Sequence, residues 1–241
     1  MKKIMAFALT LVLLLAACSY STAEKQASTS KQQIKKGEFI KFGKYEQDNN
    51  LKNGKEEIEW LVLEVKNDKA LLISKYALDY QQWHPETMRA ASKATVNWNI
   101  CSLREWLNDS FYNTAFSSEE QERIITTVQE KLPWVTTADF RTVGEGSAED
   151  KVFVLSKNEV YRYFSSNSAR QCKPTKYAAA QGAFSHPQSG TTDWWLRTVG
   201  GQVFHVDCAA LVNLMGEVSS EGSPFDWRLA VRPAIWIDLK P

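Results

Sequence analysis

Asp193-Trp194-Trp195-Leu196-Arg197 and the late run Val231-Arg232-Pro233-Ala234-Ile235-Trp236-Ile237 concentrate groups suited to binding. Adjacent residues on a strand point to opposite faces, so one of the two neighbouring Trp rings enters the core and the other lies on the far face. An exposed ring flanked by Arg and Asp suits a sugar or a peptide, because the flat ring stacks while the charged groups hydrogen-bond. The alternative is that both rings are buried and Arg197 and Arg232 make structural ion pairs. A second aromatic stands in Trp83-His84-Pro85-Glu86, which reads as a loop, where binding groups concentrate. Its ring either closes over the core or reaches outward. Trp83, Trp195, Arg197 and Arg232 are therefore the expected ligand-binding residues.

Groups that could react are fewer. There is no phosphate loop, dinucleotide fingerprint, His-Glu-x-x-His or Gly-x-Ser-x-Gly motif. Only three His occur, His84, His186 and His205, which limits schemes that need an imidazole base. His205 and Cys208 stand three apart and on a strand would face opposite ways, so a shared metal requires a bend. The acidic, glycine-bearing stretch from Asp139 through Glu145, Glu149 and Asp150 offers oxygens to a hard cation without the spacing of a calcium loop. No metal, cofactor or catalytic residue is expected. The competing enzymatic reading is an envelope hydrolase or modifying enzyme that uses carboxylates such as Glu59, Asp79 or Asp193, which could meet only in the fold.

The elements that must hold these groups follow from periodicity. Ile58–Val65 and Ala70–Ser74 read as strands, and the polar Lys66-Asn67-Asp68-Lys69 between them makes a hairpin. Ser102 with Glu105, Ser117 with Glu120 and Ser156 with Glu159 look like capping boxes that open helices. Val152–Leu155 is a short buried strand. Trp194–Arg197, Val203–Val206, Ala209–Leu214 and Leu229–Ile237 complete a late antiparallel run with glycine-bearing loops. This order predicts an α+β domain, an antiparallel sheet with several short helices.

At the start, Lys2 and Lys3 precede an uncharged apolar run from Ile4 to Ala17. That is the pattern of a secretory signal, and it falls short of the about 20 residues a spanning helix needs. Leu15-Ala16-Ala17-Cys18 resembles the bacterial lipoprotein signal. The resemblance implies diacylglycerol on the Cys18 sulfur, cleavage before it and acylation of the new amino terminus, which together give stable anchoring. An ordinary secretory signal that ends in Cys is the alternative. The expected domains are a signal peptide over 1–17, a lipidated Cys and disordered tether over 18–37, and one globular domain over 38–241. The Ser-, Thr-, Gln- and Lys-rich tether spans on the order of 25 Å as a coil. Loss of two Lys with the leader leaves 27 basic against 28 acidic residues, so nucleic acid is not an expected partner. Of Cys101, Cys172 and Cys208 only two can pair; if any do, the pair is Cys172 with Cys208, and three buried free thiols is an equal alternative.

Blocks of sequence recur in order. Ile58-Glu59-Trp60-Leu61-Val62-Leu63, Leu72 to Asp79, Ser102-Leu103-Arg104-Glu105-Trp106-Leu107-Asn108, Asp150 to Ser156, Trp194-Trp195-Leu196-Arg197 and Val231-Arg232-Pro233-Ala234 resemble a bacterial family of unknown function, the domain of unknown function 6273. The resemblance implies a fold and a surface location, with no assigned activity. The late Trp-rich strand and the terminal strand bearing Arg are also similar to the C-type-lectin-like fold. Formylglycine-generating chemistry does not carry over, because Cys208 has no neighbouring Cys. The Trp-Asn-Asp calcium element is missing too. The expectation is a lipid-anchored protein outside the cytoplasm, at the cell surface or on the periplasmic side, whose non-catalytic domain binds a glycan, a wall fragment or a protein. A structural or assembly lipoprotein is the remaining alternative.

Overall fold

Alternation builds the first hairpin. Strand β2 (Glu56–Lys66) buries Ile58, Trp60 and Val62 on one face, and β3 (Lys69–Ser74) is buried from Ala70 onward. Asn67 and Asp68 join them with φ of 52° and 58°, the left-handed pair that a two-residue hairpin turn requires. The computed structural model describes residues 34–85, 96–129, 148–200 and 208–240. The strand expected at Val203–Val206, together with Glu86, Asp139, Glu145 and His205, lies outside the described residues.

The other strands are β1 (Phe39–Tyr45), β4 (Asp79–Gln82), β5 (Thr127–Val128), β6 (Glu149–Asp150), β7 (Val152–Phe153), β8 (Trp194–Val199), β9 (Cys208–Val212), β10 (Val218–Pro224), β11 (Arg228–Val231) and β12 (Ala234–Asp238). They form two five-stranded sheets, ordered β1-β2-β3-β12-β7 and β10-β9-β8-β11-β4, and β5 pairs with β6 apart from them. Neighbours are antiparallel except β8 and β11, which meet in parallel through Trp194 and Ala230. With its short helices the domain is α+β.

The described strands pass between the two five-stranded sheets four times, after β3, between β4 and β7, after β7 and after β11, and the first and last of these crossings lie side by side. Leu229–Ile237, expected as one strand, is two strands in different sheets that break at Arg232-Pro233. Proline has no N–H for a ladder. Its carbonyl accepts from the Ser74 amide at 2.9 Å, and the Val231 carbonyl accepts from Leu78 at 2.8 Å, so the two crossings are tied together.

Two of the three expected capping boxes form, Ser117 with Glu120 on α3 (Ser118–Arg123) and Ser156 with Glu159 on α4 (Lys157–Tyr163). The third does not. Cys101 is the cap residue of α1 (Ser102–Trp106), Ser102 is already helical, and its hydroxyl is turned to His84. Helix α1 continues through a π-helical stretch, Leu107–Phe111, into α2 (Tyr112–Ala115). Within that stretch Asn108 accepts from the Lys151 amide at 2.8 Å and donates to the Val152 carbonyl at 2.9 Å, docking the helix beside β7.

The core is aromatic. Trp60, Trp83, Trp98, Trp194 and Trp195 are all fully buried. Their indole N–H groups donate to Phe42, Leu196, Asp150, Arg170 and Gln81 in that order, which satisfies polar atoms that would otherwise be costly inside.

Candidate functional site

The four residues expected to bind ligand are all interior. Trp195 is 0% exposed, and its indole donates to the Gln81 carbonyl at 2.9 Å. Alternation does put Trp194 and Trp195 on opposite faces, but β8 is a central strand whose first four residues are all buried. The expectation of a solvated face fails for that reason. Arg197, 1% exposed, grips both oxygens of Glu159 and donates to the Val154 carbonyl at 3.1 Å. It fastens β8 to α4 and is not available to a ligand.

Arg232 donates to the Ser74 carbonyl at 2.9 Å, with its guanidinium 5.1 Å from the Trp194 ring centre and 5.5 Å from that of Phe164. It locks the crossing between the sheets. Trp83 closes inward: it is 0% exposed and stacks on Phe225 with ring centres 4.4 Å apart and planes 16° from parallel.

The carboxylates considered for catalysis have separate partners. Glu59 pairs with Lys75 at 2.8 Å, Asp79 accepts from the Tyr45 hydroxyl at 2.5 Å, and Asp193 accepts from the Leu214 amide at 2.6 Å. Burial pushes the Asp193 carboxyl up and, with Asp79 beside it, the Tyr45 phenol up as well. Asp150, at the end of the acidic stretch, is buried against Arg104 and Trp98. Cys101 and Cys172 are buried free thiols, so of the two alternatives left open the Cys172–Cys208 pairing is not made.

Sequence reading missed a group of three carboxylates, Glu46, Asp48 and Glu56, with one oxygen from each within 4.8 Å of the others. Backbone amides already occupy them. Asn50 donates to Glu46 at 3.0 Å and to Asp48 at 2.7 Å, and Gln47 donates to Glu56 at 2.7 Å, so the group organises the loop between β1 and β2.

An exposed Trp flanked by Asp and Arg, the arrangement expected at Trp195, occurs instead at Trp227. Between β10 and β11 the chain turns through Phe225, Asp226 and Trp227, closed by a bond from the Trp227 amide to the Pro224 carbonyl at 3.0 Å. Phe225 points down onto Trp83 and is fully buried, whereas Trp227 is 59% exposed. Asp226 is half-buried and Arg228 exposed. The turn is pinned from below: His84 donates its amide to the Phe225 carbonyl at 2.9 Å, and Gln82 donates its side-chain amide to the Asp226 carbonyl at 2.6 Å. Gln82 also stands opposite Arg228 in the ladder of β4 and β11.

The His84 ring, half-buried, meets Ser102 with Nδ1 and Oγ 3.1 Å apart. An indole on a rigid turn between an acid and a base is the arrangement that suits a sugar or peptide. The signal in sequence was Pro224-Phe225-Asp226-Trp227, a turn-forming Pro and Asp around an aromatic.

The two sheets with their short helices define an α+β domain in which loop groups gather at the β10–β11 turn. A family model described as a domain of unknown function, DUF6273, matches residues 67–239. The chain belongs to that family. No significant match was found among curated proteins or among solved structures.

Proposed function

We propose that the chain is an envelope lipoprotein, anchored through lipid on Cys18 outside the cytoplasm, whose globular domain recognises a glycan, a wall fragment or a protein through the Asp226-Trp227-Arg228 turn. The carrying observation is the 59% exposure of Trp227 on a turn whose other aromatic, Phe225, is fixed in the core. A large apolar ring held open to solvent on a fixed backbone loses little conformational freedom when a ligand stacks on it, so ordering costs are small. Arg228 and Asp226 supply the hydrogen bonds that orient such a ligand. The export reading rests on Lys2, Lys3 and the apolar run that ends at Cys18, and no helix among the described residues is long and apolar enough to cross a membrane.

Two experiments test the two halves. Mass spectrometry of protein from its native cell should find residues 1–17 removed and Cys18 acylated; an unmodified thiol with the leader attached overturns the location. Glycan and peptidoglycan arrays probed with the lipid-free protein should give a binder whose signal is lost in Trp227→Ala. Binding that survives that change removes the site.

A further inference from the structure

Ser102 is the residue that departs from its sequence pattern, and the departure has chemical content. A Ser three residues before Glu105 should cap the helix through its hydroxyl. Here Cys101 holds the cap position and the Ser102 hydroxyl lies 3.1 Å from His84 Nδ1. We propose that Ser102 and His84 form a nucleophile–base pair that hydrolyses short acyl esters, such as O-acetyl groups on an envelope glycan held at the Trp227 turn. The substrate class rests on the binding reading given above; the pair itself does not.

The geometry has three parts. First, a hydroxyl within hydrogen-bond reach of an imidazole nitrogen is the minimal arrangement for activating serine. Second, both residues are half-buried rather than sealed in the core. Third, both are held by backbone bonds to one anchor. His84 donates its amide to the Phe225 carbonyl at 2.9 Å, and the residue after Ser102, Leu103, donates its amide to the Trp83 carbonyl at 3.1 Å. Trp83 itself is fixed by its stack on Phe225 and its indole bond to Leu196 at 3.1 Å. The pair therefore stands on the same support as the Trp227 turn. His186, the other described imidazole, meets Ser189 at 3.0 Å, but both belong to one local turn closed between His186 and Thr191, away from Trp83 and Phe225.

The reaction balances without a further reagent beyond water. His84, with its proton on Nε2, takes the Ser102 hydroxyl proton at Nδ1 as Oγ bonds to the ester carbonyl carbon. The bond from that carbon to the alcohol oxygen breaks, and the sugar alkoxide leaves with the proton from Nδ1, giving acyl-Ser102. A water then attacks the acyl carbon and yields its proton to Nδ1. The Ser102–acyl bond breaks, Oγ recovers the proton, and a carboxylic acid departs.

The test uses the full chain solubilised in detergent, with p-nitrophenyl acetate as substrate and a fluorophosphonate as covalent probe. The probe should label Ser102, located by peptide mass spectrometry. Ser102→Ala and His84→Ala should each lower hydrolysis by about 100-fold, the lower range for losing a base or its nucleophile. Ser102→Ala removes no helix cap, so it should keep the parent's unfolding midpoint, and a loss of rate then reports chemistry. Labelling and hydrolysis of this small ester are read with no glycan present, so a failed array result leaves the test of the pair intact and separates failure of the pair from failure of the binding site. An unlabelled Ser102 in folded protein, or a Ser102→Ala rate equal to the parent's, overturns the proposal.

Discussion

Trp83 and Phe225 stack with ring centres 4.4 Å apart, and that contact holds the turn on which Trp227 stands open to solvent. One aromatic of the turn is drawn into the core, and its neighbour two residues on is thereby kept out of it. Trp83→Ala should cost about 3–5 kcal/mol, the range for deleting a large buried ring. Trp227→Ala should change stability by no more than about 0.5 kcal/mol. Urea unfolding of the two variants checks the contrast; equal losses would mean the outer ring is part of the packing.

The buried Arg197 and the half-buried Glu159 make a two-oxygen ion pair between β8 and α4. Glu159→Gln leaves the guanidinium inside without a counter-charge and should cost about 3 kcal/mol or more. Adding Arg197→Met to Glu159→Gln removes the stranded charge while Gln can keep the α4 capping box, and should cost less than Glu159→Gln alone. Unfolding free energies of the single and double variants measure the difference.

Asp193 gives a pH test. Burial holds its carboxyl above the ordinary range, against the Leu214 amide that favours the anion. The folded chain therefore keeps this proton to higher pH than the unfolded chain does. In the interval between the ordinary and the raised value the native state binds more protons, so the group's contribution to stability falls as pH rises. Comparing urea midpoints of parent and Asp193→Asn as pH rises from the ordinary Asp value of about 4 should show that downward component in the parent and its loss in the variant.

Gly222 lies in β10 with φ of 76°, where the register against β9 shifts between Ser219 and Ser223. A Cβ there would overlap the Ala209 carbonyl of the neighbouring strand. Gly222→Ala combines left-handed strain with that clash and should lose about 2 kcal/mol or more. A thermal midpoint equal to the parent's would contradict this placement of the edge strand.

Much of the framework was legible where local chemistry decides structure. Asn67-Asp68 set the first hairpin, and Ser117 and Ser156 with their glutamates set two helix starts. What was not legible depends on which face of an element is covered. Trp195 alternates as expected, yet both faces of β8 are covered at this point, so Trp194 to Arg197 are all buried. Arg197 and Arg232 were recognisable as special, but their partners, Glu159 and the Ser74 carbonyl, come from distant segments. Trp227 was overlooked because its exposure follows from Phe225 reaching Trp83 across most of the chain. Ser102 fitted a capping pattern whose cap position the fold gave to Cys101.

The indole N–H resonances of the protein, followed by NMR while a soluble peptidoglycan fragment is added, test the binding account most directly. The Trp227 signal should move with ligand concentration, while those of the buried Trp83, Trp194 and Trp195 stay in place. Movement confined to the buried rings, or a Trp227 signal that stays fixed while binding is seen by another method, would contradict it.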